Sequence, residues 1–150
     1  MSDSPKILMP PPPIVALAEW FLPGSGYWLI GQRLRGFVIG ITIIFLFVAG
    51  LAIGGMRVID APTGFTMPLI FAKPWFIGQV LTGPISLAAN YIANNWGTHI
   101  DPSTLKQAAG VAMSHSRVNE IGVLYTAVAG MLNLMAMIDC SYRASNEGAR

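Results

Sequence analysis

Apolar residues gather into four blocks along the chain, separated by short polar or Pro/Gly-containing stretches. The strongest is GFVIGITIIFLFVAGLAIGG, Gly36–Gly55, which lies within 21 residues between Arg35 and Arg57 that carry no formal charge. A helical bilayer crossing takes about 20 apolar residues, so this block predicts a transmembrane helix. IGVLYTAVAGMLNLMAMI, Ile121–Ile138, supplies 18 residues bracketed by Glu120 and Asp139, enough for a thin or slightly tilted crossing. Asn119 is placed to cap it, and Arg143, four residues beyond Asp139, is placed to neutralise that carboxylate if the helix continues.

The other two blocks are interrupted. PWFIGQVLTGPISLAANYIANNW, Pro74–Trp96, is uncharged but contains Gln79, Pro84 and three asparagines. Trp75 and Trp96 stand at its ends, as an interfacial aromatic belt would place them. It predicts a span kinked near Gly83–Pro84, with a re-entrant segment buried among other helices as the alternative. IVALAEWFLPGSGYWLI, Ile14–Ile30, has 17 residues with Glu19 inside and Pro23 interrupting it; it would reach about 25 Å as an unbroken helix.

The connecting segments differ in kind. Residues 1–13 read as a polar, proline-rich arm without helix, and residues 56–73 as a loop. Residues 97–119 contain DPSTLKQAAGVAM, in which Asp101 is suited to cap a helix and Pro102 to its first turn. Leu105, Ala108, Ala109 and Ala112 would then share a face, predicting a short amphipathic helix in this linker. Residues 145–150 read as a polar tail. The expected fold is all-α: one membrane domain over residues 14–144, a bundle of three or four transmembrane helices at about 14–30, 36–55, 74–96 and 121–138.

Composition agrees with a bilayer environment. Hydrophobic residues make up 53% of the chain and charged residues 11%, with a mean hydropathy of +0.57, whereas soluble domains carry about 25% charged residues. The net charge is +2 and the basic residues are dispersed, which argues against a nucleic-acid partner. Lys6 is followed by a proline run instead of an apolar signal core, so no cleavable signal peptide is expected. In a four-span topology Arg33, Arg35, Lys106 and Arg117 fall on one side and Lys6, Arg57, Lys73, Arg143 and Arg150 on the other. Four against five sets no orientation, although the compact Arg33/Arg35 turn favours the cytoplasmic side.

Candidate chemistry is sparse. Gly24 and Gly26 fit two positions of a dinucleotide-binding loop, but the third required glycine is Leu29 and no βαβ pattern surrounds it. Ser103–Lys106 matches Ser-x-x-Lys, with neither companion motif of the penicillin-interactive enzymes in the chain. His99 and His115 both fall in the 97–119 linker, so no predicted span offers an imidazole to a buried cofactor. Cys140, the single cysteine, excludes an intramolecular disulfide and reads as a small residue at the interface. No catalytic, cofactor-binding or metal-binding residue is assigned.

Glu19 is the one ionisable residue inside a predicted span. It is expected to hydrogen-bond another helix more readily than to carry ions. Gln79, Asn90, Thr126 and Asn133 can bridge helices in the same way, such contacts contributing about 0.6 kcal/mol each on average. Pro23, Gly24 and Gly26 read as the end or bend of a helix, and Gly31 with Arg33, Arg35 and Gly36 as a tight turn into the next. Gly36/Gly40, Gly50/Gly54 and Gly122/Thr126/Gly130 repeat every four residues and predict faces where helices approach closely. Whether the neighbour belongs to the same chain or to another subunit is open at this point. Met131, Met135 and Met137 read as packing or lipid-facing groups.

LPGSGYWLIGQRLRGFVIG (22–40) resembles the Pro-Gly-x-Gly-aromatic turn of small bacterial membrane proteins, a turn shared in part with hairpin proteins of the TM2 type. PWFIGQVLTGP (74–84) and NEIGVLYTAVAGMLNLMAMIDCSYRA (119–144) are similar to a more particular group, the bacterial multi-span family DUF6677, whose function is uncharacterised. Ser25 and Tyr27 stand where relatives often carry a small apolar residue and a histidine, which removes one candidate ligand. The resemblance implies an integral membrane hairpin followed by further spans, and no activity. The resulting expectation is a non-catalytic, multi-pass inner-membrane protein without cofactor or soluble substrate. Its partners would be the lipid bilayer and other membrane subunits, which it would stabilise as an accessory component. The alternative is a homo-oligomeric transporter or channel, with Glu19, Gln79, Asn90 or Asn133 lining its path.

Overall fold

Prolines and glycines decide where each helix of this chain begins and stops. The computed structural model describes residues 10–55, 58–59, 74–96, 98–100, 107–109 and 116–148. In chain order these form α1 (Pro12–Phe21), α2 (Ser25–Leu29), α3 (Arg33–Gly54), α4 (Pro74–Val80), α5 (Pro84–Asn95), β1 (Thr98–Ile100), β2 (Gln107–Ala109) and α6 (Ser116–Gly148). Apart from the two short strands, the described elements are helical.

Pro12 and Pro13 belong to α1 and not to the extended arm. Proline is tolerated in a first helical turn because its missing N–H has no intrahelical partner there. The expected helix over 14–30 is broken: α1 ends at Phe21, and Gly24, at φ 93°, turns the chain into the five-residue α2. The 74–96 block breaks in the same manner at Leu81–Gly83, close to the expected kink, with Gly83 at φ 96° and Pro84 opening α5. Neither half of either block is long enough to cross a bilayer by itself.

Among the described residues two helices are long and apolar enough to cross a membrane, α3 and the greater part of α6. The 22 residues of α3 extend about 33 Å at 1.5 Å per residue. The final helix is longer than its apolar block at both ends, running from Ser116 to Gly148 instead of 121–138. Asn119 therefore lies inside α6 and does not cap it. Most of the expected polar tail, through Gly148, is also helical, continuing the helix beyond its apolar block.

The expected amphipathic helix in the 97–119 linker is not formed by its described residues. Thr98–Ile100 and Gln107–Ala109 pair antiparallel, with Thr98 opposite Ala109 and Ile100 opposite Gln107. Thr98 and Ile100 are β-branched, and Asp101-Pro102-Ser103 is a turn-forming run between the strands. Ala108 and Ala109, expected on a helical face, lie in β2. Leu105, Ala112, His115 and Ser103–Lys106 lie outside the described residues.

The core forms where α1, α3 and α4 pack on α6. Ile43 and Phe47 of α3, Val15 of α1, Phe76 of α4, and Ala129, Ala136 and Cys140 of α6 are buried in it. The α3 and α6 helices are antiparallel: Gly54 meets Gly122 and Val118 near one end, while Ile39 and Ile43 share a cleft with Leu132–Ala136 toward the other. Helix α1 runs antiparallel to α6, from Val15 beside Gly26 and Cys140 to Glu19 beside Asn133. Helix α4 runs parallel to it, from Trp75 near Asn119 and Val123 to Leu81 at Asn133. The C-terminal ends of α1 and α4 thus meet tail to tail halfway along α6.

Candidate functional site

The Pro-Gly-Ser-Gly break is built around Glu19. Its side chain is fully buried, and its two carboxylate oxygens accept the Gly24 and Gly26 amides at 2.8 Å each. Two backbone donors at the start of α2 are thereby satisfied by a negative group, which also suits the positive end of a helix. Ser25 Oγ donates to the Ala18 carbonyl at 2.6 Å and ties the loop to α1. Glu19 was expected to hydrogen-bond another helix, and the helix it reaches is α2, the next one in its own hairpin. Cys140 Sγ and Glu19 Oε2 both lie beside Gly26, where an added Cβ would stand 2.9 Å from each. Cys140 is buried.

Every predicted small-residue face is used within the chain. Gly36 and Gly40 receive the Pro23–Gly24 backbone: a Cβ on Gly36 would overlap the Gly24 carbonyl oxygen, and one on Gly40 would lie 2.5 Å from that of Pro23. Gly50 and Gly54 face Gly122 and Thr126, with a Cβ on Gly54 only 2.9 Å from Gly122 Cα. Gly130 accommodates the Gly78 carbonyl. Such closeness lets backbone atoms make van der Waals contact over helices with little side chain between them. Gly31, in contrast, sits exposed at the turn before α3 with no neighbour near its Cβ position.

The second polar cluster surrounds the tail-to-tail joint. Breaking α4 at Leu81 frees carbonyls that the helix would otherwise pair, and two negative helix ends converge there. Trp20 Nε1 donates to the Val80 carbonyl at 3.2 Å, and Asn133 Nδ2 donates to Leu81 at 2.9 Å and more weakly to Glu19 O at 3.5 Å. Gly83 approaches the Trp20 carbonyl so closely that a Cβ would collide with it. One turn away, Gln79 Nε2 donates to Thr126 Oγ1 at 2.9 Å and to Val58 O at 3.2 Å. Among the described residues Thr82 Oγ1 and Asn133 Oδ1 are buried without a hydrogen-bond partner. Asn90 belongs to neither cluster; its side-chain oxygen accepts Asn94 Nδ2 on α5.

Sequence reasoning identified Glu19, Gln79, Thr126 and Asn133 as polar residues in apolar surroundings, but did not find Trp20, Ser25 and Tyr27. Tyr27 Oη donates to Asp139 Oδ2 at 2.7 Å, and Arg143 Nε donates to the same oxygen at 2.7 Å. This half-exposed group lies at the end of the bundle where α3 begins. Arg33, Arg35 and Arg143 line one shallow basin there, together with Gly31, Gln32 and Leu34. The four-span topology expected Arg143 on the side opposite Arg33 and Arg35; the antiparallel packing of α3 on α6 brings all three to one end. Met131 and Met135 are exposed on α6, and Met137 contributes its carbonyl to Cys140 Sγ and Ser141 Oγ.

Among the described residues no three potential metal-ligating acids, histidines or cysteines converge. Glu19 is occupied by amides, and Asp139 by Tyr27 and Arg143. The chemistry available to these groups is that of hydrogen-bonded joints between backbone segments. No curated protein and no solved structure matches this chain. The sequence model of DUF6677, a family of unknown function, matches residues 14–149, and the chain therefore belongs to that family.

Proposed function

We propose that this protein is a non-catalytic, multi-pass membrane protein that stabilises a larger membrane complex as an accessory subunit. The supporting observation is how its polar and apolar groups are divided. Glu19, Trp20, Gln79, Thr126 and Asn133 serve to close two helix breaks inside the fold. Large apolar side chains, including Phe37, Phe45, Val48, Leu124, Met131, Met135 and Ile138, face outward. An outer surface of that kind fits lipid and neighbouring membrane helices.

In this reading α3 and α6 cross the bilayer. Helices α1 and α4, of 10 and 7 residues, enter from opposite faces and together extend about 26 Å, close to one hydrocarbon thickness. Broken helices are tolerated at that depth because the protein itself satisfies the freed backbone groups. The family resemblance favours a bacterial inner membrane. The transporter or channel reading has less support, since Gln79 and Asn133 hold backbone joints and Asn90 bonds along its own helix.

Blue-native electrophoresis after gentle extraction tests the accessory role. A band well above the monomer with a reproducible co-purifying membrane protein is expected. Migration as a lone monomer would refute it. Ion flux into liposomes that Glu19→Gln abolishes would favour the transporter reading instead.

A further inference from the structure

We propose that the end of the bundle carrying Arg33, Arg35 and Arg143 binds an anionic phospholipid, with its phosphate in the arginine basin and one acyl chain in the cleft between α3 and α6. The proposal rests on the membrane residence of these two helices. Its first support is the basin itself, about 490 Å³, to which α3 contributes Arg33 and Arg35 and α6 contributes Arg143. Asp139 is the acidic side chain at this place and is paired with Arg143 at 2.7 Å. The four groups together carry a net charge of +2. No acidic residue stands in the first turn of α3, so its helix dipole adds to the positive field. Guanidinium groups offer forked donors that match phosphate oxygens.

The second support is what adjoins the basin. A cleft of about 310 Å³ runs between the two helices, lined by Val38, Ile39 and Ile43 of α3 and Leu132, Met135 and Ala136 of α6. Its walls are apolar, and Val38 and Met135 are 57% and 70% exposed. Tyr27 and Asp139 line the cleft and Arg143 lines the basin, so the two concavities border the same hydrogen-bonded Tyr27–Asp139–Arg143 group. On each helix the basic and apolar positions form one stripe: Arg35, Val38, Ile39 and Thr42 on α3; Leu132, Met135, Asp139 and Arg143 on α6. Thr42 does not interrupt the apolar wall, because its hydroxyl donates to the Val38 carbonyl at 2.8 Å. A positive basin beside an apolar cleft is complementary to a phosphate esterified to a diacylglycerol. A zwitterionic headgroup supplies no net charge to match it.

Full-length protein is first reconstituted into phosphatidylcholine vesicles and tested for resistance to alkaline extraction. Release at this step would refute the membrane reading itself. For retained protein, native mass spectrometry in mild detergent compares phosphatidylglycerol with phosphatidylcholine of the same chains. A basic residue near a membrane surface contributes roughly fivefold to binding of anionic lipid, so a net of two charges predicts about a 25-fold preference. Arg33→Gln/Arg35→Gln, which leaves the Asp139–Arg143 pair in place, is expected to reduce that preference to about onefold. Met135→Trp, which narrows the cleft, is expected to weaken phosphatidylglycerol binding several-fold. Equal binding of the two lipids by wild type, or full preference in the double arginine variant, would overturn the proposal. So would displacement of phosphatidylglycerol by millimolar inorganic phosphate at constant ionic strength, which would mark an anion site with no use for the acyl chain.

Discussion

Replacing Glu19 by alanine removes the acceptor for two buried amides and should open the Pro-Gly-Ser-Gly loop. The Gly24 and Gly26 N–H groups each donate to the carboxylate at 2.8 Å, and the loop packs against Gly36 and Gly40 too tightly for side chains to rearrange into the gap. A buried donor left without a partner costs about 1–3 kcal/mol, so two give about 2–6 kcal/mol before any loss of packing. Cys140 reports on this loop, since its fully buried thiol lies against Gly26 and is the single cysteine of the chain. Maleimide labelling in detergent, with reclosing fast relative to reaction, measures the population of the open state. Taking about 3 kcal/mol, Glu19→Ala should label about 100-fold faster than wild type. Glu19→Gln retains one acceptor oxygen but turns an amino group toward the second amide, and should fall between the two. Ser25→Ala should have a smaller effect, because the Ala18 carbonyl keeps its bond from the Leu22 amide. Labelling of Glu19→Ala within threefold of wild type, at unchanged far-ultraviolet circular dichroism, would refute the assignment of Glu19 as the closing group.

Other expectations concern the contacts between helices. Gly130→Ala places a methyl group on the Gly78 carbonyl and should lower stability by about 1–3 kcal/mol, whereas Met131→Ala, at an exposed neighbouring position, should change it by less than about 0.5 kcal/mol; thermal melts in one detergent compare them. Asn133→Leu removes the donor to the Leu81 carbonyl at a cost of about 1–3 kcal/mol. A melting temperature of Asn133→Leu equal to wild type would contradict the joint described here. Arg143→Gln breaks a half-exposed ion pair and should cost less than about 1 kcal/mol, measured by the same melts.

Particular residues show how far the sequence could be read. Gly36–Gly55 was legible as a helix because a long uninterrupted apolar run removed from water must pair its own backbone, and a helix does so locally. The breaks at Pro23–Gly24 and Gly83–Pro84 were legible for the converse reason, that proline and left-handed glycine conformations interrupt that local pairing. The extent of α6 was not legible from hydropathy, because Arg143 and Ala144 leave the apolar pattern while remaining good helix formers. The described parts of the 97–119 linker were misread because a few alanines at helical spacing weigh little against β-branched Thr98 and Ile100 and the Asp-Pro sequence that follows them. The uses of Gln79 and Asn133 were hidden for another reason: their partners, Thr126 and Leu81, lie 47 and 52 residues away.

The sequence by itself determined the two long apolar helices of this chain and the places where its helices break. These follow from composition and backbone conformation over a few residues. Only the tertiary structure decided that Glu19 closes its own loop, that α1 and α4 meet at their carbonyl ends under Trp20 and Asn133, and that each glycine face is occupied by a segment of the same chain. It also gathered Arg33, Arg35 and Arg143 at one end by packing α3 antiparallel to α6. Each of these depends on which backbone approaches which across tens of residues, and that choice is made by close packing between helices.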